Sequence, residues 1–238
     1  MKKDLSIIDV ISTSWKIYKN NFNLFLQPIT YLIISGVAFL IPSFFDFPFQ
    51  TPLLIITLGA FIVINVWTSV IIFSICHELI NKRKINLSEI YKNSWKKSPR
   101  FFWQSFVFGL IVIGGSILLI IPGIYWSVKY GFVPYISSIS EKKIYMGQAL
   151  SESGDLVKGK WWSTFWNLVI PSMFFLLVAG VLTYGLAGTI TGGLASYETL
   201  NENFFFNVLS TIISSLIGPL TSLPIAILYN NYLENKEV

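Results

Sequence analysis

The sequence predicts an all-α, multi-pass membrane protein forming one domain over residues 1–238, with about six transmembrane helices. Three observations predict it. The chain is 53% hydrophobic and only 12% charged, with a mean hydropathy of +0.64, which leaves too little charge to cover a soluble globule of this length. Its apolar runs reach the roughly 20 residues that a helix needs to cross a hydrocarbon core of about 30 Å. Its basic residues, finally, fall on alternate loops.

In chain order, the segment from Met1 to Trp15 mixes Asp4, Ser6, Asp9 and Ser12 into its apolar residues, so it lacks an uninterrupted signal-peptide core and is expected to be retained. The candidate spans follow as Leu24–Ile41, Pro52–Leu79, Phe101–Ile121, Gly123–Ser140, Trp162–Ala187 and Phe204–Leu233. Sixteen of the 17 Lys and Arg residues lie before span one, between spans two and three, between spans four and five, or after span six. The opposite loops, 43–51, the Pro122-Gly123 turn and 188–203, carry none and hold Asp46, Glu198 and Glu202. By the positive-inside rule the basic face, and with it both termini, is cytoplasmic. This distribution also accounts for the net charge of +5 through orientation and anionic headgroups, without nucleic acid as a partner.

Each long basic segment contains a stretch of helical periodicity that runs into an odd-numbered span. Ile7, Ile11, Ser14, Tyr18 and Phe22 align without gaps with Leu87, Tyr91, Ser94, Ser98 and Phe102, and with Met146, Leu150, Ser153, Val157 and Trp161. That spacing keeps all five positions on one helix face. Three interfacial amphipathic helices are expected, apolar face toward lipid and lysines outward, giving a threefold pseudo-repeat of units 5–79, 86–140 and 144–233. Ser14, Ser94 and Ser153, at the same position of each unit, read as close-packing residues or as hydroxyl donors to phosphate.

Inside the spans, Lys129 is the one basic residue. Counted from Pro122-Gly123 at about 1.5 Å per residue, it lies roughly 9–10 Å below the outer surface, where it either snorkels outward beside Tyr125 and Tyr130 or holds an anionic group. Pro28, Pro134, Pro171, Pro219 and Pro224 fall within spans and free backbone carbonyls, with span six the best candidate for a broken-helix site. Gly109, Gly114, Gly115, Gly180, Gly185, Gly188, Gly192 and Gly193 read as close-packing positions. His77-Glu78 are adjacent, so their side chains diverge by about 100° on a helix and do not form an acid–base pair. Single Cys76 and single His77 exclude an intramolecular disulfide and a Cys/His metal cluster, and no phosphate-cradling glycine loop or nucleophile elbow is present. No catalytic residue, metal ligand or cofactor is expected.

The stretch Ile120-Ile121-Pro122-Gly123-Ile124-Tyr125-Trp126-Ser127-Val128-Lys129-Tyr130 resembles the "IPGIYLAVR" signature of the membrane domain attached to some bacterial glycerophosphodiester phosphodiesterases, and of stand-alone inner-membrane proteins in that group. Lys129 falls where that pattern has a basic residue. Pro134, Glu141, Ala149-Leu150, Ser153, Leu156, Lys158-Gly159 and Trp161 resemble its continuation, while Gly154 stands where the family tends to have tryptophan. The chain contains no phosphodiesterase barrel, so that activity is not carried over. The resemblance implies a bacterial cytoplasmic membrane and work near lipids. The leading expectation is a non-enzymatic integral protein that binds or organises phospholipid, or scaffolds partners, with Lys129, Tyr125 and Tyr130 as a site for an outer-leaflet phosphate. Homo-oligomers are allowed. The alternative is a small-molecule transporter or export-type resistance protein using Lys129 and span six.

Overall fold

A computed structural model describes residues 5–44, 50–191 and 204–236. Every element among them is helical. Helix α1 is Ile7–Asn20, α2 Phe22–Phe39 followed by a short 3-10 turn at Ile41–Phe44, α3 Gln50–Ile80 and α4 Leu87–Leu118. Then come α5 Ile120–Lys129, α6 Val133–Ile139, α7 Met146–Val157, α8 Trp161–Thr191 and α9 Phe204–Lys236.

The ends of these helices follow local chemistry. Ser6 Oγ accepts from the Asp9 amide and Asp9 Oδ2 accepts from the Ser6 amide, each at 3.2 Å, a capping box that starts α1. Asn86 Oδ1 accepts from the Glu89 amide at 3.4 Å at the start of α4, and Gln148 Oε1 accepts from the Tyr145 amide at 3.0 Å at the start of α7. Gly159, at φ +77°, turns the chain out of α7, a backbone conformation that glycine adopts without a Cβ clash.

Five of the helical segments, Phe22–Phe44, Gln50–Ile80, Leu87–Ile117, Trp161–Leu186 and Phe204–Lys236, are long and apolar enough to cross a membrane. The expected fourth span is different: α5 and α6 are helices of 10 and 7 residues, parted at Tyr130–Phe132. Together they run back along α4. Gly115 packs against Trp126 and Gly123 at one end, and Arg100 meets the carbonyls of Ser137, Ser140 and Lys142 at the other. The tight connection sits at Leu119, which is extended, and not at Pro122-Gly123, because Pro122 fits the first turn of a helix, where its missing N–H costs nothing. Gly123 serves close packing instead: a Cβ there would overlap Ser116, whose Cα would lie 2.9 Å away. Gly115 has the same role, whereas Gly109, Gly114, Gly180 and Gly185 have open space where a Cβ would point. Gly192 and Gly193 lie outside the described residues, as do Asp46, Glu198 and Glu202.

Helix α9 is the central element. Its most apolar window is 56% buried inside the protein, against 17–22% for the other four long helices, because α1, α2, α3, α7 and α8 all pack on it. The prolines of α9 are enclosed with it, and Tyr18 of α1 donates to the Leu216 carbonyl at 2.6 Å beside the Pro219 interruption. Burial pushes the Tyr18 hydroxyl up to about 12.

The three aligned stretches do not all form separate helices. Those of α1 and α7 do; the second is continuous with the following apolar stretch in the 32-residue α4. The face they share is turned into the protein, not only toward lipid: Ser14, Ser94 and Ser153 are 0%, 1% and 0% exposed. Each leading stretch packs on a neighbouring hairpin. Helix α1 lies on α8 and α9, the start of α4 lies on α3 through Tyr91 and Trp95 against Trp67, and α7 lies on α5 and α6. The order of these contacts is cyclic.

Candidate functional site

The break between α5 and α6 organises the first candidate site. Helix α5 ends at Lys129, leaving its carbonyl and the Phe132 amide without the bonds a continuous helix would supply. Ser153 of α7 takes both. Its hydroxyl donates to the Lys129 carbonyl at 2.9 Å and accepts from the Phe132 amide at 3.3 Å. That contact brings α7 alongside the break and sets the surroundings of the Lys129 side chain.

Lys129 Nζ lies 5.8 Å from the centroid of the Tyr125 ring and 5.3 Å from that of Tyr130, close enough for the ring quadrupoles to attract the ammonium. Tyr125 is fixed in turn by Trp161, whose indole N–H donates to the Tyr125 carbonyl at 3.2 Å and whose ring stacks on the tyrosine at 6.0 Å. These groups border a cleft of about 620 Å³ whose other wall is α7. Gly147, Ser151, Gly154 and Lys158 line it, at spacings of four, three and four that put small residues and a cation on one helix face. At Gly154 a Cβ would meet Lys129 Cε at 3.4 Å, ordinary contact, so a side chain larger than that of alanine would compete with the lysine for the space. Asp155 also borders the cleft, giving two cations to one carboxylate.

Lys129, Tyr125 and Tyr130 are therefore brought together, but not where counting from Pro122-Gly123 put them. The cleft shares its walls with α7 and the 158–160 turn, so Lys129 opens on the side that carries Lys158 and not on the opposite side. The count ran within α5, which is unbroken to Lys129, but it started from Pro122-Gly123 and not from the turn at Leu119, and it left out what packs beyond Lys129. The chain breaks at residue 130, and α7 folds back against the break.

A second constellation joins α3, α6 and α9. Tyr135 is fully buried, and its hydroxyl lies 3.0 Å from His77 Nδ1 and accepts from Asn230 Nδ2 at 3.3 Å. Asn81 Nδ2 reaches the Asn230 Oδ1 at 3.2 Å and His77 Nδ1 at 3.3 Å. Phe73 and Tyr229 pack edge-on to the Tyr135 ring, and the Tyr229 hydroxyl donates to Glu152 of α7 at 2.7 Å. The far end of α6 is held by α4: Arg100 donates to the carbonyls of Ser137, Ser140 and Lys142 at 2.6–2.7 Å. Lys97 donates to that of Ile139 at 3.3 Å, and Gln104 to that of Ile144 at 2.9 Å, while Ser137 donates to Gln104 Oε1. Two cations at a helix C-terminus complement its partial negative charge.

Sequence reasoning placed His77 at the end of span two but did not find Tyr135, Asn81 or Asn230. They stand 58 to 149 positions apart in these bonds, and only their polarity next to apolar runs marked them. Among the described residues no group of three His, Cys, Asp or Glu side chains could hold a metal ion. No family model matches the chain, and no curated protein or solved structure matches it.

Proposed function

We propose that this chain is a non-enzymatic integral protein of a bacterial cytoplasmic membrane that binds anionic phospholipid in the Lys129 cleft. In this reading the five long helices and the broken α5–α6 segment make six crossings with both termini cytoplasmic. The basic loops then lie at the inner leaflet, and the cleft receives a headgroup from that leaflet. The observation that carries the proposal is Lys129 laid over two aromatic faces beside Lys158 in a glycine-lined cleft of about 620 Å³. Two cations there favour a phosphate, and the ring faces and exposed Trp162 and Trp166 suit the polar–apolar boundary of a bilayer. The resemblance of residues 120–161 to the phosphodiesterase-associated membrane domain bears on work near lipids and not on the cleft itself, since Gly154 stands where that family tends to have tryptophan.

Native mass spectrometry of the protein purified in a non-ionic detergent tests this. Wild type retains phosphatidylglycerol or cardiolipin. Lys129→Ala loses most of it, whereas Lys143→Ala, which removes an exposed cation outside the cleft, does not. Equal retention by all three would reject the cleft as the site. Flux of a labelled anion in vesicles that depends on Lys129 would favour the transporter reading instead.

A further inference from the structure

A second cavity, of about 540 Å³, opens between the end of α3, the 81–86 loop, the start of α4 and the end of α6. It shares no residue with the Lys129 cleft, and charged and polar residues make up most of its lining. Arg83, Lys84, Lys96 and Lys97 line it together with Glu78, Glu89 and Glu141. Some of these are committed to the fold. Lys97 binds the Ile139 carbonyl, and Arg83 faces Glu78 at 4.0 Å. Among the described residues Lys84, Lys96, Glu89 and Glu141 make no ion pair; Glu141 interacts electrostatically with Lys97, which leaves Lys84, Lys96 and Glu89 as two cations and one carboxylate of the wall with no charged partner.

His77 forms part of the wall, and the buried network dictates which of its ring nitrogens carries the hydrogen. The Tyr135 hydroxyl accepts from Asn230 Nδ2, so its own proton has to go to His77 Nδ1, 3.0 Å away. Were Nδ1 to carry a hydrogen, the fully buried Tyr135 hydroxyl would be left with two donors and no acceptor, which costs the desolvation of a polar group. Asn81 Nδ2 also points at Nδ1. Nδ1 is thus the acceptor, and the proton sits on Nε2. The network holds the imidazole in one tautomer and one orientation.

We propose that this cavity is a binding site for a small phosphate–ammonium zwitterion, its phosphate held by His77 Nε2–H, Lys84 and Lys96 and its ammonium by Glu89. A bare phosphate leaves Glu89 facing a like charge, and a bare amine leaves two lysines unmatched. A zwitterion of phosphoethanolamine type satisfies both ends. The inference does not depend on lipid binding at Lys129.

Calorimetric titration of the full chain in maltoside detergent with O-phosphoethanolamine, glycerol 3-phosphate and ethanolamine tests it. Phosphoethanolamine binds about tenfold tighter than either single-charge probe. Glu89→Gln abolishes the preference for phosphoethanolamine and, by removing the like charge, leaves glycerol 3-phosphate bound as tightly as to wild type or more tightly, while Lys96→Ala weakens both phosphates about tenfold. Both positions are exposed, so neither variant threatens the fold. Equal binding of glycerol 3-phosphate and phosphoethanolamine overturns the zwitterion, and no heat with any probe overturns the site. Repeating the titration in nanodiscs identifies the source: competition by phosphatidylethanolamine but not phosphatidylglycerol assigns a lipid headgroup, and an unchanged titration assigns the free compound.

Discussion

Ser153 and its counterparts Ser14 and Ser94 occupy the same place in three aligned stretches, and all three are buried, yet their hydroxyls have different fates. Ser153 bridges the ends of α5 and α6. The oxygens of Ser14 and Ser94 are buried with no hydrogen-bond partner. The difference lies in the neighbour and not in the serine: α7 packs on a hairpin whose returning arm is broken, whereas α1 and the start of α4 pack on helices that run through, and the carbonyl that α9 offers α1 beside Pro219 is taken by Tyr18 and not by Ser14. What the three positions have in common is small size at a close helix contact. The hydroxyl matters only where a helix has been interrupted.

Substitutions can test that account, starting with the other support of the broken arm. Arg100→Met removes three charge-assisted bonds to the end of α6 and leaves their carbonyls to find new partners, so a loss of about 3 kcal/mol or more is expected. It should register as the largest drop in thermal midpoint of the set. Ser153→Ala leaves a buried amide and a carbonyl unpaired, for about 1–3 kcal/mol; an unchanged midpoint would mean that water replaces the hydroxyl and that the bridge is dispensable. Ser14→Ala and Ser94→Ala delete orphaned buried oxygens, and their midpoints should stay within the equivalent of about 0.5 kcal/mol of wild type or rise. A drop at either position as large as that of Ser153→Ala would show that those hydroxyls find partners too, and the contrast between units would collapse.

How far the sequence revealed these features depends on the range of the interactions involved. The helical class, the five long apolar helices and the leading stretches were legible, because each is set by periodicity or by an apolar run within one segment. The break at Tyr130–Phe132 was not. Residues 123–140 read as an unbroken apolar run, and the bonds that satisfy the interruption come from Ser153 on α7, while Lys97 and Arg100 of α4 hold the far end of α6. Arg100 counted only as one more charge of a basic loop, although most of its bonding is to backbone about 40 residues away. The grouping of Lys129, Tyr125 and Tyr130 was visible at spacings of four and one, but the side on which they open was not, since it depends on how α7 folds back. Tyr135, Asn81 and Asn230 had no pattern to betray them.

The central claim is that the shape of the cleft, together with its charge, holds an anionic lipid, and Gly154→Trp tests that claim most directly. The substitution leaves every lysine in place and fills the space where Lys129 Cε lies 3.4 Å from the position of a Cβ. Native mass spectrometry should show anionic lipid lost from Gly154→Trp as it is from Lys129→Ala. Retention at the wild-type level in Gly154→Trp would contradict the account, because the lipid would then be held by basic surface charge and not by the cleft.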